Sequence, residues 1–211
     1  MRRFFLIVAL LLTGAPPCVA LTGVHGPILV LGDSLSAAHN IPVESGWVAL
    51  LAKRLQQPDS KYHHAVVNAS ISGETTAGGL ARLPKLLAEH RPGLVVVELG
   101  SNDGLRGLPI DQVRSNLQQI IDDCRAAGAA LVLVGVELPV NYGPQYRDGM
   151  RQIYRDAAQK INAPLVPFLL DGVAQDPALM QDDGLHPRAS AQPRVFDNVW
   201  PALEAALRAP H

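Results

Sequence analysis

The chain carries a serine at the point where an apolar segment ends. Ser34 follows the apolar run 28–31 on a turn led by Gly32, which is how a buried strand delivers a side chain to the edge of a parallel sheet. A serine hydroxyl is a poor nucleophile near neutral pH, so it requires a base, an acid that orients the base, and hydrogen-bond donors for an oxyanion. Candidates for all of these occur later in the chain, and together they predict a hydrolase.

Asp183 and His186 are the candidate acid and base. They are three residues apart, and on one turn this spacing lets the carboxylate bind imidazole Nδ1 while Nε2 faces Ser34. Asp182 is an alternative to Asp183, but the spacing favours Asp183. An isolated pair of this kind is commonly a solvated loop histidine beside acids, so the interpretation depends on the other candidates. One histidine with two nearby carboxylates is a poor ligand set, and we expect no metal.

Gly73 and Asn102 are the candidate oxyanion donors, together with the backbone amide of Ser34. Asn102 follows a strand-like apolar run, and its side-chain amide can donate to an oxyanion. Gly73 can offer a backbone N–H that no Cβ shields. Each residue also has an ordinary alternative role: Ser34 as a helix cap, Asn102 as a left-handed turn residue and Gly73 as a turn glycine.

The polar neighbours of Ser34 receive structural interpretations. We expect Asp33 to bind local backbone amides, because adjacent residues seldom point at one another, and Ser36 to make local hydrogen bonds. Ser36 also breaks a Gly-x-Ser-x-Gly motif, which disfavours the α/β-hydrolase fold. His39 has no acid at a useful spacing. The sequence has no glycine loop typical of a phosphate or dinucleotide site.

Short apolar runs alternate with amphipathic segments, and this alternation predicts an α/β fold with helices on both faces of a parallel sheet. Strands are predicted over residues 28–31, 65–68, 94–99, 130–136 and 165–166. Apolar spacing indicates helices in the segments 47–55, 80–87, 110–124, 146–161 and 195–207. Pro84 is expected to kink the second helix or to open its latter half. A flavodoxin-like strand order is expected, and it would gather Ser34, Gly73 and Asn102 at one edge.

The N-terminus has the pattern of a secretory signal peptide. Two arginines precede the apolar run 4–12, which is shorter than the roughly 20 residues that cross a bilayer. We expect cleavage after Ala20 and an exported protein, either periplasmic or secreted. A lipidated Cys18 is the alternative, disfavoured by the Pro-Pro pair that precedes it. After cleavage Cys124 is the remaining cysteine, packed on a helix without a disulfide.

The remainder, residues 21–211, has the length of a single domain and a mixed charge. Without the two arginines of the leader, 16 basic residues stand against 19 acidic residues, for a net charge of −3. No basic block or aromatic-interleaved patch points to nucleic acid. Stable insertion into a membrane is not expected, and no oligomerisation signal is visible, so we expect a monomer.

The motifs Gly-Asp-Ser-Leu-Ser, Gly-Ser-Asn-Asp and Asp-Gly-Leu-His-Pro resemble those of the GDSL (SGNH) hydrolase family in order and spacing. The resemblance runs from about residue 28 to about residue 193, and Ser101 departs from the glycine expected in the third block. It implies family roles for the residues identified above: nucleophile Ser34, base His186, acid Asp183, and an oxyanion hole of Ser34, Gly73 and Asn102. It further implies a three-layer α/β/α fold, no cofactor, and small-molecule substrates such as acyl-CoA thioesters, aryl esters and lysophospholipids.

An acyl-binding groove is predicted beside this edge of the sheet. The loops 104–109 and 138–146 are apolar and lie close to the catalytic candidates. The residues expected to line the groove are Leu105, Leu108, Leu138, Pro139 and Tyr142. Their ordinary alternative role is to anchor the loops.

Two other functions remain open at this point. A carbohydrate O-acetylesterase of the same fold would need more aromatic and polar residues than these loops offer. A non-catalytic exported acyl-binding protein would bind lipid without turnover, although every hydrolytic residue type is present. The leading interpretation is a serine hydrolase of carboxylic esters and thioesters that works through an acyl-enzyme intermediate.

Overall fold

Buried apolar runs form the strands of the molecule. In the computed structural model, which describes residues 23–209, the strands are β1 Ile28–Gly32, β2 Val66–Asn68, β3 Leu94–Glu98, β4 Ala130–Val134 and β5 Leu165–Val166. All of them pair in parallel, in the order β2-β1-β3-β4-β5. This is the flavodoxin-like order expected from the sequence, so the predicted fold class is confirmed. Branched aliphatic residues fill β1, β3 and β4 because parallel strands are covered on both faces.

Helices cover both faces of the sheet. Within residues 23–209 they are α1 Trp47–Gln56, α2 Thr76–His90, α3 Ser101–Leu105, α4 Ile110–Ala126, α5 Pro144–Ile161 and α6 Gln192–Arg208. The helix α2 continues through Pro84 and begins earlier than its apolar spacing predicted. Its N-terminus is capped by Thr75, whose side chain accepts the N–H of Gly78 at 3.2 Å. The cap fixes the start of α2 directly after the turn that contains Gly73.

Alternate residues of the first strand pack into two separate cores. Ile28 and Val30 pack with residues of α1 and α6, whereas Leu29 and Leu31 pack with residues of α2, α4 and α5. The separation follows from the pleat of a strand, in which successive side chains point to opposite faces. Burial of each such side chain contributes about 1.5–3 kcal/mol. The two cores therefore hold the sheet rigidly from both sides. The segments that follow the strands start from fixed positions at its carboxyl edge.

The structure describes Cys124 but not the predicted signal peptide. Cys124 is a buried free thiol on α4, as predicted, and burial raises its pKa to about 12. The predicted leader, residues 1–20, lies outside the described residues and includes Cys18. Across residues 23–209, none of the helices combines the length and apolar character that a bilayer crossing requires.

Candidate active site

Ser34 lies just beyond β1, at the carboxyl edge of the sheet. It begins a series of turns over residues 34–40. Backbone hydrogen bonds from Ala37 N–H to the carbonyl of Asp33, at 3.0 Å, and from His39 N–H to the carbonyl of Ser34, at 3.3 Å, hold these turns. Ser34 is half-buried and lines a pocket at this edge. The backbone therefore fixes its position while the hydroxyl stays accessible from the pocket.

Ser34, His186 and Asp183 form one hydrogen-bonded chain. The Ser34 hydroxyl lies 2.8 Å from His186 Nε2, and His186 Nδ1 lies 2.7 Å from Asp183 Oδ2. A carboxylate can only accept hydrogen bonds, so Nδ1 carries the proton and donates it to Asp183. In the neutral ring, Nε2 is then the acceptor for the serine hydroxyl. This tautomer is the one that can remove a proton from Ser34.

Local hydrogen bonds keep Asp183 ionised and turned toward His186. Asp183 Oδ1 accepts the backbone N–H groups of Leu185, at 2.9 Å, and of His186, at 3.0 Å. Burial by itself would raise the pKa of Asp183, but the hydrogen bonds from the His186 ring and from these two amides together lower it to about 2. The sequence alternative, Asp182, is exposed and pairs with Arg188 at 2.8 Å instead.

Hydrogen bonds connect the loop that carries Asp183 and His186 to the turns that begin at Ser34. Met180 and Pro187 form an antiparallel bridge across the base of the loop, and Gln181 N–H donates to the carbonyl of His186 at 2.7 Å. The Gln181 side chain donates to the carbonyl of His39 at 2.9 Å and to that of Pro187 at 3.0 Å. One amide group thus joins two segments that are far apart in the sequence.

Gly73 and Asn102 lie at the same edge and line the same pocket as Ser34. Gly73 has a φ of +81°, and Arg106 Nη2 donates to its carbonyl oxygen at 3.0 Å, which restrains the turn. Asn102 Nδ2 donates to Asp33 Oδ2 at 3.1 Å. That nitrogen carries a second N–H, which is the chemical group an oxyanion needs.

A buried aspartate secures the helix that carries Asn102. Asp103 is fully buried and accepts the backbone N–H of Thr76 at 2.9 Å and the Thr76 hydroxyl at 2.6 Å. This contact joins the start of α3 to the start of α2. Gly100, the cap of α3, has a φ of +103°, and a Cβ there would lie 2.0 Å from the Tyr154 hydroxyl. Only glycine fits that position without displacing the tyrosine.

Glu98 is a buried carboxyl group near Ser34 that carries no signal in the sequence. Its Oε2 accepts the Ser36 hydroxyl at 2.6 Å and the Asp33 N–H at 3.1 Å. The prediction that Ser36 makes local hydrogen bonds is therefore wrong, because its partner ends a neighbouring strand. Asp33 does accept a local amide, the Leu35 N–H at 3.0 Å, as predicted. The structure adds its contact with Asn102.

The pocket beside Ser34 has a volume of about 470 Å³. Its polar lining includes Ser34, Gly73, Asn102 and His186. The lining also contains other polar side chains: Asp33, His39, Ser72, Glu98, Ser101, Glu137 and Gln175. Most of the exposed surface of the pocket is nevertheless apolar, supplied by Leu35, Leu105, Leu138, Pro139, Phe168, Leu169, Leu170, Ala174, Met180 and Leu185. Apolar walls combined with polar groups that can orient a ligand are the usual character of a small-molecule site. The pocket can take an apolar chain next to the serine hydroxyl.

Three of the five residues predicted to line an acyl groove lie on this pocket. Leu105, Leu138 and Pro139 line the pocket, whereas Leu108 and Tyr142 do not. Both of the latter pack against the core beneath the loops. The Tyr142 hydroxyl also donates to the carbonyl of Leu105 at 2.7 Å. Tyr142 therefore supports the wall of the pocket through the backbone of Leu105.

A second group of apolar lining residues escaped prediction. Phe168, Leu169, Leu170 and Ala174 follow β5, a strand of two residues. So short a strand gives almost no periodic signal, and its loop could not be placed at the site from the sequence. Between residues 23 and 209, no group of three or more His, Cys, Asp or Glu side chains is placed to hold a metal ion.

The chain matches the model of the GDSL-like lipase/acylhydrolase family over residues 30–192. The esterase TesA of Pseudomonas aeruginosa is 51% identical over 201 residues, which are 94% of this chain and 99% of the relative. The thioesterase 1/protease 1/lysophospholipase L1 of Escherichia coli K12 is 46% identical over 177 residues, covering 84% of this chain and 82% of the relative. The arylesterase of Vibrio mimicus is 46% identical over 176 residues, covering 82% and 85%.

Solved structures match the fold closely. A crystal structure of TesA superposes with a TM-score of 0.82 at 52% identity, covering 86% of this chain and 99% of that chain. A crystal structure of the psychrotrophic esterase EstA from Pseudoalteromonas sp., inhibited by monoethylphosphonate, superposes with a TM-score of 0.81 at 39% identity. It covers 86% of this chain and 98% of that one. The fold is thus shared over nearly the full length of both esterases.

Proposed function

Because the chain belongs to the GDSL-like lipase/acylhydrolase family and is an ester hydrolase, we propose that it works through Ser34 as nucleophile, His186 as base and Asp183 as the acid that orients the base. The observation that carries this proposal is the continuous hydrogen-bonded chain from Asp183 Oδ2 through both nitrogens of His186 to Ser34 Oγ. The geometry places the base in contact with the serine hydroxyl.

Acylation begins at the serine hydroxyl. As Ser34 Oγ bonds to the acyl carbonyl carbon, its proton passes to His186 Nε2, and the carbonyl oxygen becomes an oxyanion. Asp183 stays ionised and stabilises the imidazolium. We assign the oxyanion hole to the amides of Ser34 and Gly73 and to the Asn102 side chain, by analogy with the family motif. Loss of one such donor typically lowers kcat by roughly 10²–10³-fold.

The proton leaves His186 again in the second half of acylation, and deacylation then repeats the sequence with water as the nucleophile. When the tetrahedral intermediate collapses, the bond to the leaving thiol or alcohol breaks, and that group takes the proton from His186 Nε2. Water then gives a proton to His186 as its oxygen attacks the acyl carbon of the acyl-enzyme. The second collapse returns this proton to Ser34 Oγ and releases the carboxylic acid. Nothing beyond water is consumed.

The character of the pocket supports substrates with an apolar acyl chain. Most of the exposed surface of the pocket is apolar, and large exposed hydrophobic side chains lie on it or next in sequence to its lining residues. Leu185 lines the pocket itself, Val140 follows the lining residue Pro139, and Ile71 precedes the lining residue Ser72. An apolar rim favours lipid-like ligands over sugars. We propose acyl-CoA thioesters, aryl esters and lysophospholipids as the substrate classes.

We further propose that the mature enzyme is one catalytic domain, residues 21–211, which acts as a periplasmic monomer after removal of residues 1–20. The support is the basic, apolar and small-residue pattern of the first 20 positions. Intact mass measurement of the protein recovered from a periplasmic extract, followed by sedimentation analysis, tests the cleavage site and the monomer together.

The experiment that tests the catalytic proposal is a substrate series. We would measure kcat/KM for p-nitrophenyl esters and acyl-CoA thioesters from acetyl to palmitoyl, with Ser34→Ala as the control variant. A fluorophosphonate probe and peptide mass spectrometry would locate the modified residue. We expect turnover that requires Ser34, rises beyond butyryl and is accompanied by labelling of Ser34.

Each other outcome has a definite meaning. Activity confined to acetyl esters would replace the lipid-type assignment with a carbohydrate O-acetylesterase. Lipid binding that Ser34→Ala leaves intact, without turnover or labelling, would favour a binding protein. Turnover that persists in Ser34→Ala would refute Ser34 as the nucleophile.

A further inference from the structure

Two buried carboxyl groups lie beside the Asn102 side chain. Asp33 follows β1 directly, and Glu98 is the last residue of β3, in register with Gly32. Asp33 is 1% exposed and Glu98 is 2% exposed. A Cβ on Gly32 would lie 2.8 Å from Glu98 Oε2, so a glycine in this position leaves room for the carboxyl group. The packing brings Asp33 and Glu98 together.

Both carboxyl groups accept hydrogen bonds from neighbouring residues. Glu98 Oε2 accepts the Ser36 hydroxyl at 2.6 Å and the Asp33 N–H at 3.1 Å. Asp33 accepts the Leu35 N–H at 3.0 Å and Asn102 Nδ2 at 3.1 Å. The charge of Asp33 also acts directly on the Glu98 carboxyl group. Among the ion pairs of residues 23–209, none includes Asp33 or Glu98.

Two carboxylates buried next to each other repel, so one carboxyl group of the pair favours its protonated form. Burial raises the pKa of Glu98 well above its usual value, and the neighbouring Asp33 raises it further. Burial raises the pKa of Asp33 only to about 6, since the Leu35 amide, His186 and Asn102 favour its ionised form. At neutral pH the proton therefore resides on Glu98 and the charge on Asp33.

We propose that the buried pair of Asp33 and Glu98 positions the Asn102 amide for the oxyanion, an inference that rests on the proposed function. An ionised Asp33 can only accept, so Asn102 must turn its nitrogen toward it. The second N–H of that nitrogen is then held toward the pocket. A protonated Asp33 could donate to the Asn102 oxygen instead, and a rotated amide would present its oxygen to the oxyanion. Asp33 and Glu98 are thus positioning residues.

A double-mutant cycle tests the action through Asn102. We expect Asp33→Asn to lower kcat by roughly 10²-fold with KM changed little, because the oxyanion forms only after substrate binds. In an Asn102→Ala background the same substitution should lower kcat by less than about threefold. Equal losses in both backgrounds would overturn the inference. Circular dichroism of each variant separates these effects from loss of fold.

The protonation of Glu98 is tested with two substitutions of similar size. Gln reproduces a protonated carboxyl group, since it both donates and accepts, whereas Met does neither. We expect the kcat of Glu98→Gln to exceed that of Glu98→Met by about tenfold, given the value of an aligned oxyanion donor. Equal kcat values would show that no donor is needed at this position, and the inference would fail.

The pH dependence of stability offers an independent readout that does not use activity. The titratable groups that interact with the pair are His186, Tyr154 and, through Tyr154, Asp103. A carboxyl group whose pKa is raised by folding takes up a proton when the chain folds, so stability is lost as the pH rises. Between about pH 6 and pH 8, we expect wild type to bind about one more proton on folding than Glu98→Gln does. Denaturant unfolding at several pH values in this range gives the free energy of unfolding of each protein. If Glu98 were ionised, this free energy would change with pH equally in wild type and in Glu98→Gln.

The failures of the two proposals can be told apart. Wild-type turnover that does not require Ser34 would defeat the proposed function. Normal Ser34-dependent turnover, combined with independent effects of Asp33→Asn and Asn102→Ala, would defeat only the positioning role of the carboxyl pair.

Discussion

The imidazole of His39 lies against the imidazole of His186, with the ring centroids 4.3 Å apart and the planes inclined by 37°. The residues on both sides of His39, Ala38 and Asn40, have left-handed φ angles of 58° and 55°. The carbonyl of His39 is also held by the Gln181 side chain. A strained and anchored backbone therefore holds this ring beside the proposed base.

We expect this contact to steady the His186 ring. Aromatic pairs contribute about 0.5–1.5 kcal/mol, so His39→Ala should lower kcat/KM by roughly threefold to tenfold. His39→Phe keeps a ring in the same place and should retain most of the activity. Steady-state kinetics of both variants on one aryl ester checks this. Unchanged kcat/KM in His39→Ala would show that the stacking has no catalytic effect.

Asp183 and Asp182 form a matched pair for testing which acid orients the base. Asp183→Asn should lower kcat by between about 10²-fold and 10⁴-fold, because the tautomer of His186 is no longer enforced. The loss is expected below the upper limit because the Asp183 side chain is 38% exposed and water can accept the Nδ1 proton. Asp182→Asn breaks only the surface pair with Arg188. A larger loss in Asp182→Asn would reverse the assignment.

The pH profile should report histidine and not Asp183. The hydrogen bonds that lower the pKa of Asp183 to about 2 keep it ionised in all but strongly acidic solution. Histidine side chains change charge between about pH 5 and pH 8, so kcat/KM should fall as the pH drops through this range. The profile of an aryl ester, corrected for its spontaneous hydrolysis, measures the effect. A rate that stays constant from about pH 5 to about pH 8 speaks against a histidine base.

Substitutions at Leu105 and Leu108 test which of these leucines contacts the acyl chain. Leu105 lines the pocket and Leu108 does not, although they are only three positions apart in the sequence. Leu105→Ser should lower kcat/KM for decanoyl relative to butyryl esters by roughly tenfold, from the loss of apolar contact with the chain. Leu108→Ser should change that ratio by less than about twofold. The same shift in both variants would contradict the assignment of Leu105, and not Leu108, to the pocket wall.

Ala174 tests the part of the pocket that follows β5. It is exposed and lines the pocket, so Ala174→Trp can fill the cavity without disturbing the core. We expect kcat/KM for long acyl chains to fall by about tenfold while acetyl and butyryl esters are little affected. Ala178, also exposed but outside the lining, supplies the control Ala178→Trp. If Ala174→Trp leaves the chain-length profile unchanged, the acyl chain does not run past this residue.

Local features of the sequence were sufficient for the fold and for the candidate chemistry. Apolar runs and their spacing gave the parallel sheet, because strand and helix periods are properties of adjacent residues. The strand order brought the loops of Ser34, Gly73 and Asn102 to one edge. The three-residue spacing of Asp183 and His186 was also enough to suggest their contact, since one turn contains both.

Tertiary structure alone decided which distant residues meet around Ser34. Glu98 reads as the end of a strand, yet it accepts the Ser36 hydroxyl across two parallel strands. From the sequence, His39 is a histidine with no partner at a useful spacing, and loop packing brings its ring against His186. Leu108 and Leu105 are the same residue type three positions apart, and only the fold shows that Leu105 lines the pocket and Leu108 does not. Such contacts depend on how loops pack across the sheet edge, and no local spacing records that packing.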